Sequence, residues 1–438
     1  MHFGVQNILF IVALGIATFI FARKFGNIWR NIRLGKDVNR SDRKSERWAV
    51  MTRVAMGQTK MVKRRYVAGF FHVLIYVGFI LINIEVLEIL IDGVFGTHRI
   101  FAPLLGGLYN TAINFFEILA VLVIVSCLVF LWRRNVNTVK RFKDLKGWAK
   151  RDGNNILVIE LILMMALLVI GAAEANMENM QAGPFLISGL IAPVFEGVSQ
   201  ANLIIIERVA WWLHILGILA FLNYLPYSKH FHIIMAFPNV WHGKLEPKGQ
   251  FNNNEAVKKE VQTMMDPSAD PYATPPEGEA VAVPERFGAK DVMDLNYVQL
   301  MNAYSCTECG RCTDSCPANM TGKKLSPKKI MMDTRDRLEE VGKVLDINRG
   351  TFVDDGKSLL GDYVTPEELW ACTTCNACTE ACPVNIDPLS IIVDMRRFMV
   401  MEESNASQQI NMMMTNVENN GAPWAYAQAD RANWTNEL

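Results

Sequence analysis

Five stretches of the chain are apolar on every helical face, near residues 5–22, 67–91, 112–132, 156–173 and 203–225. Each approaches the roughly 20 residues with which a helix crosses a bilayer, and no stretch beyond residue 240 does so. The pattern therefore predicts five transmembrane helices and then a polar region built from shorter elements. From about Val292 the pattern is again helical. Ser326-Pro327-Lys328-Lys329-Ile330 opens a helix running to about Val344, with proline at a tolerated first-turn position, and Thr365-Pro366-Glu367-Glu368-Leu369 starts another turn. Between the two halves, residues 241–290 hold Asn252-Asn253-Asn254 and the stretch from Asp266-Pro267 to Pro275-Pro276, with few aromatic or β-branched residues, which predicts an extended surface linker. The expected organisation is all-α: a five-span membrane domain over 1–240, the linker over 241–290, a helical domain over 291–402, and a tail over 403–438. Asn419-Asn420-Gly421 and Pro423-Trp424 make that tail a candidate docking strap.

Charge orients the spans. The segment 23–66 is crowded with Arg and Lys, ending in Lys63-Arg64-Arg65, and 133–155 carries Arg133, Arg134, Lys140, Arg141 and Lys143. By contrast, Arg99 is the one basic residue of 92–111, and 174–202 has Glu174, Glu178 and Glu196 with no Lys or Arg. Cytoplasmic loops are the basic ones, so the amino terminus is expected outside and everything after the fifth span in the cytoplasm of a bacterial or archaeal cell. The first apolar run has no basic residue before it and Arg23, Lys24, Arg30 and Arg33 after it, the pattern of a retained anchor. A net charge of zero and juxtamembrane placement of the basic loops argue against nucleic acid as a partner.

Eight of the nine cysteines fall in two copies of C-x2-C-x2-C-x3-C-P, at 306–317 and 372–383. Three cysteines at this spacing wrap one corner of a [4Fe–4S] cube, and the fourth, set off before proline, ligates the other cluster. That crossing rule assigns Cys306, Cys309, Cys312 and Cys382 to one cluster and Cys372, Cys375, Cys378 and Cys316 to the second. Structural zinc uses two ligand pairs, and disulfides need an oxidising compartment; neither suits a triplet with a distant fourth cysteine on the cytoplasmic side. The ninth, Cys127, lies inside the third apolar run and reads as a small buried hydrophobe. The polar domain is thus expected to be a helical ferredoxin with two clusters.

Histidines in the membrane half point to a second kind of carrier. His214 and His232, both placed on the fifth span, are 18 residues apart, about five helical turns, so both rings are expected to project from one helix face about 27 Å apart. Intramembrane histidines are costly and mostly functional, and paired imidazoles from facing helices hold b-type haem. The segment from His214 through Pro226-Tyr-Ser-Lys-His-Phe-His232 resembles the last span of the nitrate reductase gamma-subunit family of cytochromes b. That resemblance implies five spans of the same orientation and two stacked haems, with His232 and His72 as ligands on the cytoplasmic side and His214 on the outer side. His230 is an alternative to His232. The family's second outer ligand falls on Ile82, which cannot bind iron; either His98, in the outward loop, takes its place or the outer haem is absent, so one haem b is expected and two are possible.

The region 295–400 resembles a second family, the helical ferredoxin subunits of heterodisulfide reductases, on Cys306-Thr-Glu-Cys-Gly-Arg-Cys, Ser326-Pro327-Lys328-Lys329-Ile330 and Trp370-Ala-Cys-Thr-Thr-Cys-Asn-Ala-Cys-Thr-Glu-Ala-Cys-Pro383. The adjacent Cys-Cys pairs of the catalytic subunit of those reductases are absent, so any such chemistry belongs to a soluble partner. Together the resemblances imply an oxidoreductase subunit that relays electrons between menaquinone or another quinone and a cytoplasmic cysteine-rich reductase or flavoprotein, in either direction. Acids in or near the spans, Glu85, Glu88, Glu117, Glu160 and Glu207, with Asp92, His98 and Arg99, are candidate quinone or proton groups. A membrane scaffold with sensing clusters is the non-redox alternative, and it predicts no haem.

Overall fold

The computed structural model describes residues 4–143, 145–178, 183–247, 249–268 and 286–436. It is all-α: no strand is present among the described residues, only isolated bridges such as Lys36 with Asn296. Five helices are long and apolar enough to cross a membrane: Val5–Ile32, Tyr66–Phe95, Gly107–Asn135, Gly147–Glu174 and Gln200–Tyr224. The first packs on the second and fifth, the second on the third, the third on the fourth, and the fourth on the fifth, closing a ring. Small residues permit the close approach: a Cβ on Gly217 of the fifth span would stand 2.7 Å from Leu163 Cδ2 of the fourth. Outward faces carry Val5, Ile8, Phe19, Phe70, Leu87 and Leu213, exposed as a lipid-facing surface requires. Cys127 is fully buried among Val123, Leu119 and Ile82.

The fifth span stops at Tyr224. Pro226 cannot continue the hydrogen-bond ladder, and the chain passes through short 3-10 turns, Leu225–Tyr227 and Lys229–Phe231, hinged at an extended Ser228 (φ −115°, ψ 153°). Ser228 Oγ accepts from the His230 N–H at 3.0 Å, restarting the chain as a separate helix, His232–Trp241. His214 and His232 therefore do not share one continuous helix face, contrary to the five-turn count. The helix His232–Trp241 packs on the ferredoxin side: Ser305 Oγ reaches the Met235 carbonyl at 3.4 Å, and Asn239 donates to the Val384 carbonyl at 2.8 Å. The break at 225–228 separates the fifth long apolar helix from the helix His232–Trp241.

The linker also differs from expectation. Its segment Glu255–Met265 is helical, with Asn254 Oδ1 accepting from Val257 N at 3.4 Å. Residues 269–285, which include Pro275-Pro276, lie outside the described residues.

The cysteine-rich domain is fixed to the basic end of the bundle. Lys36 and the 295–297 segment exchange backbone hydrogen bonds of 2.8 and 3.0 Å. Asn31 donates to Tyr304 Oη at 3.1 Å, that hydroxyl donates to Glu339 at 2.6 Å, and Lys24 pairs with Glu339 at 2.8 Å. Ile28, Ile32, Ile156 and Phe221 of the spans lie in the same buried cluster as Leu300, Met301, Ile330, Leu338 and Ile391. The two halves thus share a core. The tail holds a helix, Gln408–Asn420, with Met412, Met413 and Val417 exposed.

Candidate functional site

Each cysteine motif follows a helix that ends at its first ligand. Tyr297–Ser305, capped by Asn296, leads into Cys306; Pro366–Trp370, capped by Thr365, leads to Cys372. The loops then repeat the same backbone. The second residue after each first cysteine has positive φ (Glu308, 54°; Thr374, 56°), and so does the fourth (Gly310, 72°; Asn376, 60°). Such alternation turns peptide N–H groups toward a common centre, a concavity suited to an anionic cluster. Thr374 N–H points at Cys372 Sγ at 3.4 Å, and Ile386 N–H at Cys382 Sγ at 3.3 Å.

Cys306, Cys309, Cys312 and Cys382 line one cavity with Arg311, Lys328, Met331 and Ile386. Burial raises the Cys372 thiol, and Cys316 and Cys375 both add to that rise. Burial pushes the Cys306 and Cys378 thiols up to about 12 and Cys382 to about 11. Such thiols keep their protons until iron displaces them. The donor sets fit [4Fe–4S] clusters, which supply one-electron carriers when bound.

The surroundings of the two motifs differ. Around the first, Glu308 is buried between Lys229 Nζ (2.8 Å) and Arg335 Nη2 (2.9 Å). Burial works against its charge, but the two cations hold its carboxyl below the ordinary value. Arg311, between Cys309 and Cys312, donates to the Met61 carbonyl at 3.0 Å, just before the second span. Around the second motif Cys375 is exposed, in a depression with Arg64, Ser315, Thr374 and Glu380.

His72 and His232 come together, with ring centres 6.4 Å apart and planes at 39°. Two imidazoles on opposite sides of one metal have centres about 6 Å apart, from two metal–nitrogen bonds of about 2 Å and the half-widths of the rings. His232 Nδ1 donates to the Lys229 carbonyl at 3.0 Å, which leaves its Nε2 lone pair free. Burial holds His232 below the usual imidazole value. His230 stacks near Phe221, with ring centres 5.3 Å apart, and 5.5 Å from His232.

His214 donates from Nδ1 to the Leu163 carbonyl at 2.9 Å, and its Nε2 is buried without a partner. His98 lies against Glu174, 3.8 Å away. Leu163 and Glu174 are eleven residues apart on the fourth span, about 16 Å of rise. The structure does not bring His98 to His214.

Most of the candidate acids are occupied. Arg99 Nε and Nη1 donate to Glu174 (3.0 Å) and Tyr109 Oη (2.9 Å), Tyr109 donates to Glu88 at 2.7 Å, and Glu88 also accepts Phe101 N–H at 2.8 Å. Asp92 accepts Arg99 N–H at 2.6 Å, Glu117 accepts the N–H groups of Ile187 and Ser188, and Glu207 pairs with Arg208. All but Glu207, whose partner is the next residue of the same helix, pin the loops at the end opposite the cysteines. Glu85 is half-buried and Glu160 buried, outside those networks. Sequence reasoning missed Lys229, Glu308, Arg311 and Arg335; for the first three the cue was a charge inside or beside a ligand motif, and Arg335, inside the helix Pro327–Ile347, had none.

Five membrane-length helices joined to a domain with two four-cysteine sites define a membrane-anchored two-cluster iron–sulfur protein. Residues 305–386 match the family model described as a 4Fe-4S dicluster domain. The chain is 28% identical to the probable iron-sulfur-binding oxidoreductase FadF of Bacillus subtilis, over 98% of this chain and 61% of that protein. It is 26% identical to the EtfAB:quinone oxidoreductase of Syntrophomonas wolfei, over 98% of this chain and 59% of that protein. The cysteine-rich part is 33% identical to one subunit of the ferredoxin:CoB-CoM heterodisulfide reductase of Methanosarcina mazei, over 23% of this chain and 48% of that protein. The chain spans about three fifths of the length of the first two relatives. No solved structure matches.

Proposed function

We propose that this chain carries electrons between a cytoplasmic flavoprotein of the electron-transferring type and membrane quinone, through two [4Fe–4S] clusters and one haem b held by His72 and His232. The crossing ligand sets are Cys306, Cys309, Cys312 with Cys382, and Cys372, Cys375, Cys378 with Cys316. The observation that carries the reading is the spacing of the His72–His232 pair together with its attachment to the first cysteine loop. His232 opens the helix whose Met235 carbonyl meets Ser305, next to Cys306. His72 follows the Met61 segment that Arg311 grips. The name of the Syntrophomonas relative supports a flavoprotein and a quinone as the two ends. The basic loops at the ferredoxin end support a cytoplasmic location for the clusters. Similarity to part of a heterodisulfide reductase supports the second reading, electron exchange between quinone and a cytoplasmic thiol–disulfide reductase.

An anaerobic spectrum of the purified protein tests this. Reduced electron-transferring flavoprotein should produce reduced haem bands and cluster signals in paramagnetic resonance, and decylubiquinone should then bleach both. His72→Ala and His232→Ala should each abolish the haem bands and spare the cluster signals. Protein with full cluster iron and no haem would remove haem from the reading, and indifference to the flavoprotein would favour the reductase partner.

A further inference from the structure

A cavity of about 180 Å³ opens where the fourth and fifth spans meet the ferredoxin domain. Resting on the quinone reading above, we infer that this cavity binds the quinone headgroup, in place of the candidate acids at the opposite end of the bundle.

Its walls join three environments. On the lipid side stand Trp148 and Tyr227, 50% and 58% exposed, with Lys24 Nζ 5.0 Å from the Tyr227 ring centre. Trp, Tyr and Lys are the residues that settle at the membrane–water boundary. On the inner side stand Lys229, Glu308 and Arg335. On the water side stand Asp336 and Glu339, the former exposed. A quinone needs this sequence of surroundings: lipid for its tail, an electron source at its ring, and water for its protons.

Proximity to the carriers comes from two wall residues. Glu308 lies in the loop between Cys306 and Cys309, and Lys229 lies three residues before His232, whose Nδ1 it holds through its carbonyl. A ring in this cavity therefore lies beside the first cysteine motif and the His232 turn. Donors for a carbonyl oxygen are at hand. Arg335 commits Nε and Nη2 to Asp336 and Glu308, leaving Nη1 for a ligand. The volume suits one substituted ring and is too small for a dinucleotide. At the opposite end, Glu88, Asp92, Arg99, Glu117 and Glu174 are committed to one another and to loop backbone.

In the net reaction the flavin hydroquinone of the partner is oxidised, releasing two electrons and two protons. The quinone gains two electrons and takes two protons from water, forming one O–H bond at each carbonyl oxygen.

The test uses the full chain in lipid nanodiscs with an azido-substituted ubiquinone analogue as photolabel and decylubiquinone as competitor. Label should fall on residues 148–152 or 224–231 and be displaced by decylubiquinone. Trp148→Leu and Tyr227→Leu should lower labelling and raise the KM for decylubiquinone about tenfold, with kcat and the cluster signals unchanged. Label on residues 92–117 or 183–207, or an unchanged KM in both variants, overturns the site while leaving quinone reactivity intact. A protein that takes no label and is inert to decylubiquinone overturns the quinone reading and the site together.

Discussion

The two cysteine motifs have the same spacing and the same pattern of positive φ, yet one is built into the protein and the other opens onto its surface. The first is enclosed by Lys229, Arg335 and Arg311, each tied to a neighbouring element, and by Lys328. The second leaves Cys375 exposed beside Arg64. The repeat explains how each loop folds, because ligand spacing and peptide orientation are local. It does not explain what each cluster is for, because that depends on which side of the domain meets the spans. The enclosed motif faces the His72–His232 pair and the interfacial cavity, so it suits exchange with the membrane. The open motif suits exchange with a soluble partner.

The largest test of this contrast exchanges the fourth ligands. Cys382→Ser should abolish the resonance of the enclosed cluster although the mutation lies in the second motif, and Cys316→Ser should abolish the exposed one. With the proposed crossing ligation, each variant should lose about half of its cluster iron. Cys316→Ser should also stop reduction by the flavoprotein while quinol still reduces the remaining cluster. If each serine instead removes the cluster of its own motif, the crossing assignment is wrong and the contrast must be redrawn with the fourth ligands interchanged.

A smaller effect separates the electrostatics of the two sites. Glu308→Gln removes a negative charge from the enclosed loop and should raise that cluster's reduction potential; Lys229→Met leaves Glu308 with one cation fewer and should lower it. A roughly tenfold change in the reduction equilibrium, about 59 mV for one electron, is the expected size in each direction. The exposed cluster should move far less in both variants, because solvent screens it. A redox titration followed by paramagnetic resonance reads both clusters at once. Shifts of the same sign in the two variants would mean that the loop was deformed rather than recharged.

Legibility in the sequence followed the range of the interaction. The five spans were plain because length and apolarity are local properties, and four expected runs fall inside the observed helices while the fifth passes the end at Tyr224 by one residue. The helix Pro327–Ile347 likewise begins at the Ser326-Pro327 signal, with Ser326 Oγ accepting from Lys329 N–H. Counting turns from His214 to His232 failed because periodicity says nothing of a break, even though Pro226 marked one. The acids stood out as unusual within apolar spans, but whether Glu117 is free or bonded depends on the N–H groups of Ile187 and Ser188, about 70 residues away. The linker helix Glu255–Met265 was obscured by the Asn and Pro residues on either side. Lys229 and Glu308 are 79 residues apart, and no local pattern pairs them.

The smallest test concerns the loops themselves. The fourth residue after the first cysteine is Gly310 in the enclosed motif and Asn376 in the exposed one, with φ of 72° and 60°. Asparagine tolerates this left-handed conformation better than most residues, whereas alanine there costs about 1–2 kcal/mol. Space adds to the difference, since a Cβ on Gly310 would stand 3.1 Å from Arg141 Cβ and 3.3 Å from its carbonyl oxygen. Gly310→Ala should therefore lower the thermal midpoint for loss of cluster absorbance by about 4 °C per kcal/mol, where the ranges for domains of about 60–100 and about 150–250 residues meet. Asn376→Gly should change it by less than about 1 °C, because the αL geometry is kept and no close neighbour is removed. A loss at Gly310 no larger than the αL cost of about 1–2 kcal/mol would show that the loop conformation alone sets cluster retention; a larger loss assigns the excess to its contact with Arg141 in the loop between the third and fourth spans.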